Sequence, residues 1–304
     1  MRGAGPVGLH EVMGTTPLAC AYGGGALFGI AYLLGVGEAL VDGGVDLGGA
    51  PAIGTSAGSW AAAALALGVR WQDAIDEIGD DIPRLPDPRS GRLRRVATEI
   101  FDDRRVPTMR AVVCSLPRLR RVVLSGADHP VSDLVAASSA VPGMLAPHRV
   151  AGHRYVDGGV RSMASADLAD PAASLLVMAP IAGPMFGPAG RLAERVLRRE
   201  MGEWQRRNPD GRLWLIRPNR AIAELASRPD QLFEPDRARR AYDLAYAQAA
   251  GILSRWNDTY GNGGRGDDGG RGDSGGRDGN GGRGDNGGRD GNGGRGDNGG
   301  RAAA

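Results

Sequence analysis

Three short strings in this sequence hold the residue types that acyl transfer needs. The first is Gly54-Thr55-Ser56-Ala57-Gly58, a G-x-S-x-G run. A serine hydroxyl is a weak nucleophile until a base takes its proton, and this pattern mounts it on a sharp strand-to-helix turn with its oxygen exposed. Such a turn crowds the residues two before and two after the serine, so Gly54 and Gly58 must be small. The second string is Gly23-Gly24-Gly25, about thirty residues upstream, whose backbone N–H groups can point at a developing oxyanion. The third is Tyr155-Val156-Asp157-Gly158-Gly159, an acid at the end of a short apolar strand that meets a two-glycine turn.

Taken singly, each string has a plain alternative. A G-x-S-x-G run arises by chance at an appreciable rate in a glycine-rich chain, and Asp-Gly is a common turn. The glycine run invites a dinucleotide reading, but G-x-G-x-x-G counted from Gly23 ends on Phe28, with Gly29 one residue late. A phosphate-binding Walker A loop needs a lysine, and all 37 basic residues are arginine. The weight comes from the three strings together and from the elements that must position them.

Those elements alternate. Leu18 to Tyr22 reads as a buried strand, followed by the glycine turn and a helix from about Gly29 to Leu40. Ala50 to Ile53 predicts the next strand and Ser56 to Leu67 an apolar helix, which sets Ser56 at a strand-to-helix junction whose helix N-terminus favours negative charge. Trp71 to Ile78 is helical. Residues 80–108 carry Pro83, Pro86, Pro88 and Pro107 among many charges and read as a surface excursion or cap. Ala111 to Ser115 and Leu119 to Ser125 form a hairpin around Pro117, Val131 to Ser139 a helix, and Ser174 to Ala179 another buried strand. A helix (191–206), a strand (214–217) and a helix (235–256) complete the body. Alternation of this kind predicts an α/β domain with a mostly parallel central sheet covered by helices on both faces.

Together the three strings resemble the patatin-like phospholipase family, in which a glycine-rich oxyanion loop precedes a Gly-Thr-Ser-Ala-Gly elbow and a distant Asp-Gly-Gly. The flanking text agrees: Gly29-Ile30-Ala31-Tyr32, Ser138-Ser139-Ala140-Val141-Pro142-Gly143 and Asp157-Gly158-Gly159-Val160-Arg161-Ser162 look like bacterial members. The resemblance runs from about Leu18 to Trp256. It implies a three-layer patatin-like fold over residues 1–260, acting as a lipid acyl hydrolase without metal or cofactor. Ser56 is then the nucleophile, Asp157 the direct proton acceptor, and Gly23, Gly24 and Gly25 the oxyanion donors. One departure stands out: many members carry a basic residue in the loop where this chain has Ala26-Leu27-Phe28.

Two other readings remain open. A Ser-Asp-His α/β-hydrolase shares the elbow but orders its triad serine, acid, histidine, whereas His10, His129, His148 and His153 all precede Asp157. Such a triad would have to use Asp102, Asp103 or Asp128 with a later histidine. The second is a lipid-binding or scaffolding protein of the same fold whose dyad is inactive.

Composition narrows the partners. A net charge of +2 supplies no field for nucleic acid, and Cys20 and Cys114 have neither the spacing of a zinc site nor that of a disulfide framework. With no signal peptide evident, the expected location is cytoplasmic, peripheral to a membrane at most. Val12 to Gly37 is free of charge, yet Pro17 and the glycine run argue against a membrane span. Arg191, Arg195, Arg198 and Arg199 alternate with Leu192, Val196 and Leu197, a stripe suited to transient contact with anionic lipid or to packing on the sheet. Residues 261–304 hold 21 of the 51 glycines in a Gly/Arg/Asp/Asn repeat without apolar anchors, which predicts a disordered tail. The expected partner is a lipid or ester substrate. Oligomeric state is not encoded in any pattern found.

Overall fold

A computed structural model describes residues 16–78, 86–87 and 89–260. The repeat tail (261–304) and His10 lie outside the described residues. The chain runs β1 (Thr16–Tyr22), α1 (Ala26–Asp42), β2 (Ala52–Thr55), α2 (Ala57–Leu67), α3 (Trp71–Ile78), α4 (Arg92–Phe101), β3 (Met109–Ser115), β4 (Arg120–Ser125), α5 (Val131–Ser138), β5 (His148–Val150) and β6 (His153–Asp157). Then follow β7 (Ala172–Met178), α6 (Gly187–Arg207), β8 (Arg212–Ile216), α7 (Arg220–Ala223) and α8 (Pro235–Tyr260).

The strands make one sheet ordered β5-β6-β3-β2-β1-β7-β8, with β4 also paired to β3. Its centre is parallel, through β3/β2, β2/β1, β1/β7 and β7/β8. Its other end is antiparallel, through β3/β4, β3/β6 and β5/β6. Central strands covered on both faces read as apolar throughout, and their successive residues go to opposite faces. Cys20, Tyr22, Ala111, Val113, Leu176 and Met178 join one core with α1, α2, α4, α5 and α8. Ala19, Ala21, Ile53, Val112, Leu175 and Val177 join the other with Leu197 and Trp204 of α6. The result is three layers with helices on both faces, as expected from the alternation of elements.

Helix α1 is buried from Leu27 to Leu40 because α8 covers the side turned away from the sheet. From Thr16 on, the uncharged stretch is a central strand and a central helix in series. Among the described residues no helix is long and apolar enough to cross a membrane. Trp204 is fully buried with its indole N–H on the Asp170 carbonyl at 3.0 Å, and Trp71 stacks on Tyr242. Both serve as packing anchors.

The proline-rich segment corrects one expectation. Residues 79–85 and Pro88 are outside the described residues, but α4 is no surface excursion: Val96, Ala97 and Phe101 are buried, and the Phe101 ring lies 5.9 Å from that of Trp60. Leu93, Val96, Ala97, Ile100 and Phe101 recur at helical spacing. Charges between the apolar positions masked that period. The β5/β6 hairpin was only half legible, since three-residue β5 holds a single apolar residue.

Candidate active site

Register along β3 explains how residues a hundred positions apart meet. β4 pairs with β3 from Arg110 to Ser115 along one side. The other side is shared: β2 runs along it as far as Thr55 opposite Val112, and β6 arrives from the opposite direction with Asp157 opposite Val113. The two strands therefore end head to head, and Ser56, one residue past Thr55, comes to Asp157. The Ser56 hydroxyl lies close enough to the Asp157 carboxyl to lower its pKa.

Ser56 adopts φ 52° and ψ −121°, backbone space that costs a residue with a side chain about 1–3 kcal/mol. Its surroundings hold that shape. Its N–H donates to Ser138 Oγ at 2.8 Å, and the Ser138 hydroxyl donates to the Val112 carbonyl at 2.8 Å. Ser59 Oγ donates to the Ser56 carbonyl at 2.6 Å, and Trp60 Nε1 donates to Ser139 Oγ at 2.9 Å. Ser138 and Ser139 brace the elbow, yet in the sequence they stand only among the residues that flank the acid. Their signal was a serine pair at the end of a helix.

The tight turn uses both of its glycines. A Cβ on Gly54 would lie 2.5 Å from the Gly58 carbonyl carbon, and one on Gly58 would overlap the Tyr22 carbonyl. These obstacles are backbone, which cannot swing away. Gly58→Ala is expected to lower stability by about 1–3 kcal/mol, read as a reduced denaturant midpoint, and to reduce activity as the elbow opens. An unchanged midpoint would contradict the crowding.

Asp157 is 4% exposed. Burial pushes its carboxyl up to about 6, against the lowering effect of the Ser56 hydroxyl and the Gly159 N–H. The Gly159 N–H donates to Asp157 Oδ1 at 2.6 Å, and the Asp157 N–H donates to the Ala140 carbonyl at 3.0 Å. A carboxylate with this value is ionised at neutral pH yet basic enough to take a proton from a serine, the compromise expected of a general base. A Cβ on Gly158 would lie 2.5 Å from the Val112 carbonyl oxygen, so the turn after the acid packs directly on β3.

The glycine loop sits where expected, with Gly24 beside Ser56: a Cβ on Gly24 would lie 3.4 Å from that of the serine. Its donors differ from the expectation. The Gly23 N–H is bonded to the Met178 carbonyl at 2.9 Å and the Gly24 N–H to the Met163 carbonyl at 2.7 Å. Both are spent on holding the loop, so of the three expected donors only Gly25 has an N–H without an acceptor among the described residues. The Ala57 N–H heads α2, where a helix offers its own first donors no acceptor.

No histidine among the described residues hydrogen-bonds Ser56 or Asp157. His148 Nε2 is 2.9 Å from Asp133 Oδ1, and His153 packs on Tyr155. Of the apolar positions in the arginine stripe of α6, Leu197 is buried while Leu192 is 61% exposed. Gly23, Gly24, Met163, Pro180, Ile181 and Leu197 line a small apolar cavity beside the glycine loop.

Residues 90–170 match the family model of the patatin-like phospholipases. This segment contains Ser138 and Asp157 but stops short of Ser56 and the glycine loop. No curated protein matches the chain. Among solved structures, the crystal structure of VipD from Legionella pneumophila is similar at 14% identity, covering 79% of this chain and 67% of that one, with a TM-score of 0.41.

Proposed function

We propose that this member of the patatin-like phospholipase family is a serine-dependent lipid acyl hydrolase working through a Ser56–Asp157 dyad. The observation that supports the reading is the buried, basic carboxyl of Asp157 beside a serine held at φ 52°. Ser56 Oγ attacks the ester carbonyl carbon as Asp157 takes its proton, and the carbonyl π-electrons move onto oxygen. The tetrahedral species collapses with loss of the alcohol, which leaves with the proton from Asp157. Water, deprotonated by the same carboxylate, then releases the acid from Ser56.

The oxyanion donors are the Gly25 and Ala57 N–H groups. Gly23 and Gly24 form the loop that presents them. Each such donor contributes about 2.7–4 kcal/mol to transition-state stabilisation. The substrate is a lipid or other carboxylic ester. Transient docking on an anionic membrane surface uses the exposed Leu192 with Arg191 and Arg195, and the chain works from the cytoplasm.

A serine-directed fluorophosphonate tests this directly. The wild-type chain is expected to become labelled, with the adduct on Ser56, and the Ser56→Ala variant to remain unlabelled. Folded wild-type protein that resists the probe, or equal labelling of the variant, would favour the inactive lipid-binding reading.

A further inference from the structure

Among the buried acids the mechanism does not use is Glu200, on the sheet-facing side of α6 and 5% exposed. It is surrounded by donors. Arg121 of β4 reaches Glu200 Oε1 at 3.1 Å, and the Ala166 N–H reaches Oε2 at 3.2 Å. The Ser162 side chain lies close enough to lower the Glu200 pKa. Ser162 Oγ accepts the N–H of Ser165 at 2.9 Å and of Ala164 at 3.3 Å, which leaves its own hydrogen for the carboxylate. Arg121 is shared with Asp167, which faces Glu200 from the short turn Ala166–Leu168.

Apart from Arg121, these partners belong to one segment, residues 158–168, running from the turn after Asp157. Between Ser162 and Ala166 lies Met163, which touches the two glycine turns on either side of the dyad. Its carbonyl accepts the Gly24 N–H at 2.7 Å, which fixes the glycine loop against Ser56. Its side chain lies between the two glycine turns: a Cβ on Gly24 would be 2.8 Å from Met163 Cε, and one on Gly159 3.2 Å from Met163 Sδ. Gly159 in turn donates to Asp157.

We infer that Glu200 is a positioning residue for the dyad: its carboxylate pins the 162–166 loop, and through Met163 that loop sets the glycine turn and the Asp157 turn against Ser56. This rests on the dyad reading. Every partner the structure gives Glu200 is a donor, so the network requires the ionised form; a protonated carboxyl would turn an O–H toward an N–H or a guanidinium. Burial pushes Glu200 up to about 7, and the Asp167 charge adds to this while Ser162, Arg121 and the Ala166 N–H oppose it. On its own helix Arg199 also interacts with the Glu200 charge, and it is paired with Glu203 at 2.8 Å. Loss of the Glu200 proton around neutrality therefore tightens the site, and its gain loosens it.

Glu200→Gln is the discriminating variant, because it keeps the shape but never carries the charge. At pH 8 its kcat for an ester substrate is expected to fall about tenfold to a hundredfold, with KM changed less than threefold. Wild-type kcat should lose activity through two protonations between pH 8 and 5, and Glu200→Gln through only one. A variant with wild-type kcat and the same two-proton acid limb would overturn the inference. So would a loss of stability in denaturant with kcat unchanged. A wild type that fluorophosphonate does not label would overturn the dyad reading itself, a separate outcome read before the variant is made.

Discussion

Ser56→Ala is expected to lower kcat/KM for ester hydrolysis by on the order of 10⁴-fold or more, because a dyad that has lost its nucleophile keeps only the help of oxyanion donors and binding. Stability should be nearly unchanged, since alanine occupies the same strained backbone. Ser56→Gly separates the two properties. Glycine tolerates φ 52° at little cost, so this equally inactive variant is expected to be more stable than Ser56→Ala by about 1 kcal/mol, measured by denaturant unfolding at pH 8. If glycine gave no gain over alanine, the elbow would store no strain. Activity within tenfold of wild type in either variant would remove Ser56 from the chemistry.

Asp157→Asn is expected to lower kcat by about 10²–10⁴-fold while making the fold more stable at pH 8. The sign follows from burial. The folded carboxyl titrates near 6, above the 3.8 of a free aspartate, so the folded state favours the protonated form. That favourable contribution is complete below about pH 4 and is lost as pH rises through 6. Above that it amounts to a cost on the order of 3 kcal/mol for holding the charge. Asparagine removes the charge and still accepts from Gly159, so a gain of about 1–3 kcal/mol should appear at pH 8 and vanish below pH 4. The same titration governs catalysis in the other direction, because the base works only when ionised. With Glu200 neutralised by Glu200→Gln, kcat/KM should fall tenfold per pH unit below a midpoint near 6. A midpoint near 4 would mean that Asp157 is solvated rather than buried, and a stable but fully active Asp157→Asn would exclude it as the base.

Both variants join loss of function to equal or greater stability. A strained serine and a buried carboxylate with no counter-ion among the described residues are costly features that packing alone would not retain. Substitutions in the supports behave differently: Gly58→Ala removes stability and activity together, because Gly58 lies where a strand and a helix approach through backbone.

The three strings and the alternation of elements were legible in the residues alone, for a local reason. A turn that brings Gly54 against Gly58 must be written with glycine whatever surrounds it, and buried parallel strands must be apolar at successive positions. The order of the histidines likewise argued against a Ser-Asp-His relay before any coordinates. What no local pattern encodes is which backbone donors are already occupied and which distant side chains share an oxygen. The head-to-head meeting of β2 and β6 depends on register along β3. Gly23 and Gly24 spend their N–H groups on Met178 and Met163, residues more than a hundred positions away. Ser138 reaches the elbow across 82 positions and Glu200 reaches Ala166 across 34. Sequence determined that Ser56 stands on an elbow and offered Asp157 as its proposed partner; tertiary hydrogen bonding decided what holds them in place.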